Sequence, residues 1–281
     1  MAYTPHDIGS EAIVLAETER TVEVNYYGEG QNPLVFLHGF GSHPVFYERL
    51  FDAMVQEDSD IQIVAPCGPG IGKSSLLLKN ESIIDWPIQF MKATGITNGD
   101  NRSAEILGHS FGGFQGLHVA DKLKKEEDID AVVVTLATPL DKIEDIISMY
   151  RNLFMDTAIS DGFEFGTAML RLDFSTMLRL ANTALATSAR LGLTTLDAAS
   201  EYQSTATQLL YLPESPRRQL FNAGHAQALF GRSDQAVRRP KDRSWPGIHE
   251  TDGSHAFPVQ GDPHRRALHI LDLFDTMQYA A

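Results

Sequence analysis

Residues 103–113 read SAEILGHSFGG, and this stretch decides the fold. Its first half is a short apolar run that ends in glycine, which is typical of a strand buried on both faces of a sheet. Its second half contains the pattern G-x-S-x-G and leads into residues with helical spacing. The stretch therefore predicts a sharp turn from strand to helix, with Ser110 in the turn.

A serine in such a turn is suited to nucleophilic chemistry. Gly108 and Gly112 flank Ser110 and carry no Cβ atom that would clash in a tight turn. The following helix would place Ser110 near N–H groups and the positive end of the helix dipole, which favour developing negative charge. A second interpretation, a serine N-cap with glycines kept for packing, stays open on these five letters alone.

The rest of the chain alternates between apolar runs and helical spacing. A polar turn near residues 17–20 predicts an antiparallel hairpin over residues 12–27. Strands and helices are then expected in turn, the strands at 33–39, 61–66, 103–108, 131–139 and 226–231, and the helices at 44–57, 113–125 and 264–274. This alternation indicates an α/β fold, with a mostly parallel central sheet and helices on both faces.

The alternation stops after Pro139. Residues 140–212 have helical spacing throughout and no strand-like runs. We therefore expect a core formed by residues 1–139 and 213–281, with a helical cap of residues 140–212 inserted in it. Aromatic and methionine side chains suit apolar ligands, and some of the following cap residues are expected to contact substrate while others pack the cap: Met149, Tyr150, Phe154, Met155, Phe163, Phe165, Met169, Phe174 and Met177.

A second glycine loop follows the first predicted parallel strand and reads HGFG at residues 38–41. Acyl transfer needs two hydrogen-bond donors aimed at the oxyanion of the tetrahedral intermediate. The backbone N–H of Phe111, directly after Ser110, and the N–H of Phe40 are the candidates. Alone, HGFG would be an ordinary glycine turn, but its place one βαβ unit before Ser110 favours the functional interpretation.

A loop histidine is the candidate base. His255 lies in DGSHAFP, just before the last predicted helix, and a loop at the carboxyl edge of a sheet can bring an imidazole to a serine there. Of the other histidines, His109 is predicted to be a packing residue and His249 to lie in a strand. No residue in the pattern suggests a metal site.

The acid that would orient the base is Asp234 or Asp141. Asp234 follows the predicted strand at 226–231 and precedes His255 in the chain, so it is the preferred candidate. Asp141, after the strand at 131–139, is the alternative.

The stretch CGPGIGKSS at residues 67–75 is similar to a phosphate-binding loop but does not match one. That motif requires glycine where this chain has Cys67, and Pro69 removes a backbone donor. We expect instead a sharp turn in which Gly68, Gly70 and Gly72 adopt unusual backbone angles.

Together these motifs resemble the α/β-hydrolase superfamily, in its cap-bearing, cofactor-independent branch of esterases, lactonases and carbon–carbon-bond hydrolases. The resemblance rests on HGFG at 38–41, APCGPGIGKS at 65–74, GHSFGG at 108–113, GRSD at 231–234 and GSHAFP at 253–258. It implies a triad of Ser110, Asp234 and His255, oxyanion donors at Phe40 and Phe111, and no cofactor. The chain departs from the family at Cys67, where aspartate is usual.

The composition of the chain limits the classes of molecule that we expect it to bind. The net charge of −14 repels nucleic-acid backbones and anionic lipid, so we expect a small-molecule substrate and no nucleic acid. No apolar run is long enough for a membrane span, and no signal peptide is recognised. The single Cys67 fits a reducing compartment, which predicts a cytoplasmic protein. The oligomeric state is left open.

The predicted activity is that of a serine hydrolase that cleaves an ester, lactone or similar acyl bond of a small lipophilic or aromatic substrate. Three alternatives use the same fold. They are a hydroxynitrile-type lyase, a carbon–carbon-bond hydrolase, and a small-ligand receptor without catalysis.

Overall fold

The computed structural model of the chain describes residues 7–16, 18–39, 42–77, 81–97, 103–138, 140, 214–232, 245–253, 258 and 261–278. Within these ranges one eight-stranded sheet has the order β1-β2-β4-β3-β5-β6-β7-β8. Its strands are β1 (Asp7–Leu15), β2 (Arg20–Tyr27), β3 (Asn32–Leu37), β4 (Ile61–Pro66), β5 (Ser103–His109), β6 (Asp130–Leu136), β7 (Ala226–Gly231) and β8 (Ile248–Thr251). The helices are α1 (Glu48–Glu57), α2 (Asp85–Ala93), α3 (Phe111–Lys122), α4 (Glu214–Asn222) and α5 (Pro263–Gln278).

The first two strands form the predicted hairpin. They pair antiparallel from Asp7 opposite Tyr27 to Leu15 opposite Arg20. Glu19 closes the turn with a positive φ of 52°, and its N–H donates to the carbonyl of Leu15 over 2.8 Å. β2 then pairs antiparallel with β4 and joins the hairpin to the main sheet.

All other strand pairs are parallel, which confirms the predicted sheet. Consecutive residues of β5 show why its apolar run is nearly continuous. Ile106 belongs to the core on one face of the sheet and Leu107 to the core on the other. Each face is covered by helices, so both sets of side chains are removed from water.

The helices divide between the two faces. Phe51 of α1 and Ile270 of α5 pack in the core that contains Leu107. Phe90 of α2, Leu117 of α3 and Phe221 of α4 pack in the core that contains Ile106. This gives three layers, with the sheet in the middle.

The order in which strands are added to the sheet reverses between β3 and β5. The chain leaves β3 through α1 on one face and reaches β4, and it leaves β4 through α2 on the other face and reaches β5. β3 and β5 are neighbours, with Leu37 opposite Gly108. In parallel sheets ligands bind in the crevice at the carboxyl ends of strands at such a point. Ser110 follows β5 at this position.

Helix boundaries differ from the predicted ones. The segment 44–57 divides into a 3₁₀ turn, Pro44–Tyr47, and α1. α3 begins at Phe111 rather than at Gly113, and after Lys122 it continues into a π turn, Leu123–Glu127. α2 and α4 were not predicted.

No helix among the described residues is both long and apolar enough to cross a bilayer. The predicted cap lies outside the described residues, apart from Leu140.

Candidate active site

Ser110 lies in a strained turn between β5 and α3. Its φ and ψ are 52° and −115°, a combination that residues with a side chain rarely adopt. Three hydrogen bonds hold this backbone. The N–H of Ser110 donates to the carbonyl of Leu136 over 2.7 Å, and its carbonyl accepts from Thr138 Oγ1 over 3.1 Å and from the Phe114 N–H over 3.2 Å. Strain held in this way is typical of a functional residue.

The two glycines of the motif are required by close backbone approach. A Cβ atom at Gly108 would lie 2.6 Å from the carbonyl carbon of Gly112. A Cβ atom at Gly112 would lie 2.6 Å from the carbonyl oxygen of His38 and closer still to the carbonyl of Leu37. The start of α3 therefore contacts the end of β3 directly, and this contact sets the height of Ser110 above the sheet.

The loop after β3 lies beside Ser110. A Cβ atom built on Gly39 would lie 3.5 Å from Ser110 Cβ and 3.1 Å from His109 Nδ1. The backbone at Gly39 therefore passes directly beside the serine. Phe40, the predicted donor, lies outside the described residues. Phe111, the other predicted donor, opens α3, where the first amide groups of a helix point along its axis toward the N-terminal end.

His109 is a packing residue, as predicted. Its side chain is buried, and its Nδ1 lies 2.7 Å from the hydroxyl of Tyr47. That hydroxyl also accepts a hydrogen bond from Ser42 Oγ over 3.2 Å. Burial raises the pKa of Tyr47 to about 12, so the phenol stays neutral at physiological pH.

His38 has a role that the sequence analysis missed. Its side chain is buried, its Nε2 accepts the Gly68 N–H over 2.7 Å, and its Nδ1 lies 2.8 Å from the carbonyl oxygen of Gly39. Its position directly before the first glycine of HGFG was the available signal. Burial lowers the pKa of His38 to about 4.

The predicted base and acids are not among the described residues. His255, Asp234 and Asp141 are all outside the described ranges, so their roles remain predictions. The neighbouring strands show where those segments begin. Gly231 ends β7 opposite Thr251 of β8, and Leu229 of β7 lies opposite Leu136 of β6, next to the Ser110 turn. The chain therefore leaves β7 toward Asp234, and β8 toward His255, from the carboxyl edge that also carries Ser110.

The loop at residues 67–75 does not form a phosphate-binding loop. A P-loop leads from its Lys and Ser directly into a helix, whereas residues 74–77 are not helical. Gly70 and Gly72 have positive φ, as predicted. Gly68 does not, and the prediction of an unusual angle there was wrong. Gly68 instead lies close to the His38 ring, because a Cβ atom there would be 3.1 Å from His38 Nε2.

A cluster of Glu23, His43 and Cys67 brings three groups of metal-binding type within 4.8 Å of one another. Its hydrogen bonds favour a structural role. His43 Nδ1 accepts the Val45 N–H over 3.2 Å, so the proton sits on Nε2 and points at Cys67 Sγ, 3.2 Å away. Burial also raises the pKa of the Cys67 thiol, which keeps it protonated. A metal would need both atoms unprotonated.

Acid should destabilise the folded protein through its buried histidines. Burial, the largest cause in each case, lowers the pKa of His38 to about 4 and that of His43 and His118 to about 3. The unfolded chain binds these protons below about pH 6.5 and the folded protein does not. Stability is therefore complete above pH 6.5 and falls as the pH drops toward 3. From pH 7 to pH 5 we expect a loss of about 2 kcal/mol per histidine.

Urea unfolding at pH 7, 6 and 5 measures this effect. His118→Asn should reduce the loss of unfolding free energy between pH 7 and pH 5 by the contribution of one histidine. A free energy of unfolding that stays constant from pH 7 to pH 5 would contradict the assignment of neutral buried imidazoles.

The profile of the alpha/beta hydrolase family matches residues 34–267. No curated protein matches the chain in sequence. Similar solved structures include a bacterial membrane phospholipase A, with 17% identity over 96% of this chain and 86% of that one, at a TM-score of 0.65. An esterase from Thermogutta terrifontis is 17% identical over 96% of this chain and 99% of that one, with a TM-score of 0.57. A laboratory-evolved potato epoxide hydrolase is 14% identical over 95% of this chain and 100% of that one, with a TM-score of 0.64.

At these identities the solved structures show a shared fold and no shared reaction. The family profile spans most of the chain, and it includes Ser110 and both glycine loops. The chain belongs to the alpha/beta hydrolase family.

Proposed function

We propose that this protein is a serine hydrolase in which Ser110 attacks the carbonyl carbon of an ester or lactone. The observation that carries the proposal is the strained backbone of Ser110, with a φ of 52°, at the carboxyl end of β5. The turn lies at the topological switch point of the sheet, where parallel sheets bind ligands. Strain of this kind has a cost, so its presence at a serine favours a catalytic role over a plain N-cap.

The reaction would proceed in two steps. Ser110 Oγ bonds to the carbonyl carbon while His255 accepts its proton, and the carbonyl electrons move onto oxygen. The N–H groups of Phe40 and Phe111 stabilise that oxyanion. His255 then gives its proton to the leaving alcohol, which leaves an acyl group on Ser110. Water, deprotonated by His255, then attacks the acyl carbon, and His255 returns that proton to Ser110 Oγ as the acid leaves.

The acid that orients His255 is Asp234 in this proposal, with Asp141 as the alternative. A carboxylate there holds the imidazole in one tautomer and stabilises its cation. Separate Asp234→Asn and Asp141→Asn variants distinguish them, because replacement of the triad acid lowers kcat by about 10⁴-fold in a comparable enzyme. The other variant should retain most activity.

The proposed substrate is small, uncharged and lipophilic. The chain carries a net charge of −14, which disfavours anionic substrates. The aromatic and methionine side chains of residues 140–212 suit an acyl or aromatic group. Among the similar structures are proteins named as a phospholipase, an esterase and an epoxide hydrolase. The fold therefore does not identify the bond that is cleaved, and substrate assays must identify it.

Pre-steady-state kinetics with p-nitrophenyl acetate, butyrate and octanoate test the proposal. An acyl-enzyme predicts a burst of one p-nitrophenolate per active site, followed by slower turnover. Butyrate and octanoate should give a higher kcat/KM than acetate. Turnover of none of these esters, with cleavage of a hydroxynitrile instead, would favour the lyase. Ligand binding that Ser110→Ala leaves intact, without turnover, would favour the receptor.

A further inference from the structure

We propose that His38 is a positioning residue that fixes the direction of the second oxyanion donor, an inference that rests on the proposed function. The argument starts from the hydrogen bonds of its ring. Nε2 accepts the Gly68 N–H over 2.7 Å, so Nε2 carries a lone pair. In a neutral imidazole the proton must then be on Nδ1, which lies 2.8 Å from the carbonyl oxygen of Gly39. His38 therefore donates to the Gly39 carbonyl.

The Gly39 carbonyl belongs to the peptide group that carries the predicted donor. A trans peptide is planar, and its C=O and N–H point in opposite directions. Fixing the carbonyl of Gly39 thus fixes the direction of the amide N–H that follows it in the chain. The same carbonyl also accepts the Ser42 N–H over 3.1 Å, and two donors resist a flip of the peptide better than one.

The hydrogen bond also strengthens the donor electronically. Donation to a carbonyl polarises the whole peptide group and makes its N–H more acidic. This effect is larger in a buried environment, and His38 is 9% exposed. The neutral imidazole thereby contributes to oxyanion stabilisation without touching substrate.

The other side of the imidazole is anchored to the hairpin. Gly68 follows Cys67, whose carbonyl accepts from Ser74 Oγ over 2.8 Å. Ser74 Oγ in turn accepts the N–H of Glu23 in β2 over 3.0 Å. A continuous set of hydrogen bonds therefore runs from β2 through the loop at 67–75 to His38 and Gly39. The loop that resembles a phosphate-binding motif has a function here, which is to support the oxyanion loop.

Two substitutions distinguish the roles of the two ring nitrogens of His38. In His38→Asn the side-chain N–H can replace Nδ1 and still donate to Gly39. In His38→Gln the amide reaches the place of Nε2 and leaves the Gly39 carbonyl without that donor. We expect kcat with a p-nitrophenyl ester to fall about 10²-fold in His38→Gln. KM should stay within about twofold, because the oxyanion forms only in the transition state. His38→Asn should recover most of the loss.

His118→Gln is the matched control. His118 is also buried, and its Nε2 accepts from Arg217 Nη1 over 3.1 Å, but it lies in α3 outside the proposed machinery. It should lower Tm and leave kcat near wild type. Equal kcat in His38→Gln and wild type, at full folding, would overturn the proposal. So would equal losses in His38→Asn and His38→Gln.

A measurement on the wild-type protein remains decisive if the variants do not fold. Long-range ¹H–¹⁵N correlation spectra of histidine-labelled protein report the tautomer of each ring. The expected result is a neutral His38 with its proton on Nδ1 at pH 7, and a proton on Nε2 would overturn the proposal. Fluorophosphonate labelling of the same sample separates the two claims. An unlabelled Ser110 means that the proposed function has failed, whereas a labelled Ser110 with the wrong tautomer means that only the role of His38 has.

Discussion

Replacing Ser110 with alanine should lower kcat for ester hydrolysis by about 10⁴-fold or more, with KM and folding little changed. The substitution removes the nucleophilic oxygen and keeps the backbone that holds the turn. Ser110 donates its N–H to Leu136 and accepts from Thr138 through its carbonyl, and alanine retains both hydrogen bonds. Steady-state kinetics on the most active ester, with Tm measured in parallel, provide the comparison.

Ser110→Gly is the informative companion variant. Ser110 has a φ of 52° and ψ of −115°, and glycine adopts such angles at little cost. Ser110→Gly should therefore be inactive and more stable than Ser110→Ala by about 1 kcal/mol. Residual activity above one hundredth of wild type in both variants would exclude Ser110 as the nucleophile. Equal stability of Ser110→Gly and Ser110→Ala would contradict the claim that the backbone at residue 110 is strained.

Gly112→Ala should strongly destabilise the folded protein, because the added methyl group would overlap backbone atoms of Leu37 and His38. Its Cβ atom would lie 2.6 Å from the carbonyl oxygen of His38 and closer to that of Leu37, and neither backbone group can move independently of the sheet. The start of α3 would have to shift away from β3. We expect a loss of about 3 kcal/mol or more, or failure to fold, because overpacking against backbone is not relieved by a rotamer change.

Gly116→Ala is the matched control in the same helix. Its nearest neighbour would be a methyl group of Ile106 at 3.0 Å, a side chain that can adjust by a few tenths of an ångström. Alanine also favours helix more than glycine by about 1 kcal/mol. Gly116→Ala should therefore change the free energy of unfolding by about 1 kcal/mol or less. Equal destabilisation by both variants in urea titrations would contradict the role given to the contact between Gly112 and β3.

The local patterns of the sequence were sufficient to predict the sheet. Apolar runs at β3, β4, β5, β6 and β7 identified parallel strands because both faces of each are buried. The G-x-S-x-G pattern located the turn because only glycine fits at 108 and 112. α2 was missed because Pro87 lies in its first turn, a position that helices tolerate but that reads as a break.

The parts of the site that depend on tertiary contacts were less predictable. The link from His38 to Gly68 joins residues that are 30 positions apart, and no periodicity indicates it. The pairing of Tyr47 with His109 spans 62 positions, for the same reason. His255, Asp234, Asp141 and Phe40 stand where the sequence analysis left them, as predictions for mutagenesis.

Peptide mass spectrometry after fluorophosphonate labelling tests the central claim most directly, that Ser110 is an activated nucleophile. The account predicts one adduct per chain on the peptide that carries Ser110, none in Ser110→Ala, and labelling slowed by about 10²-fold or more in His255→Ala. A folded wild-type protein that does not react, or that reacts at another residue, would contradict it.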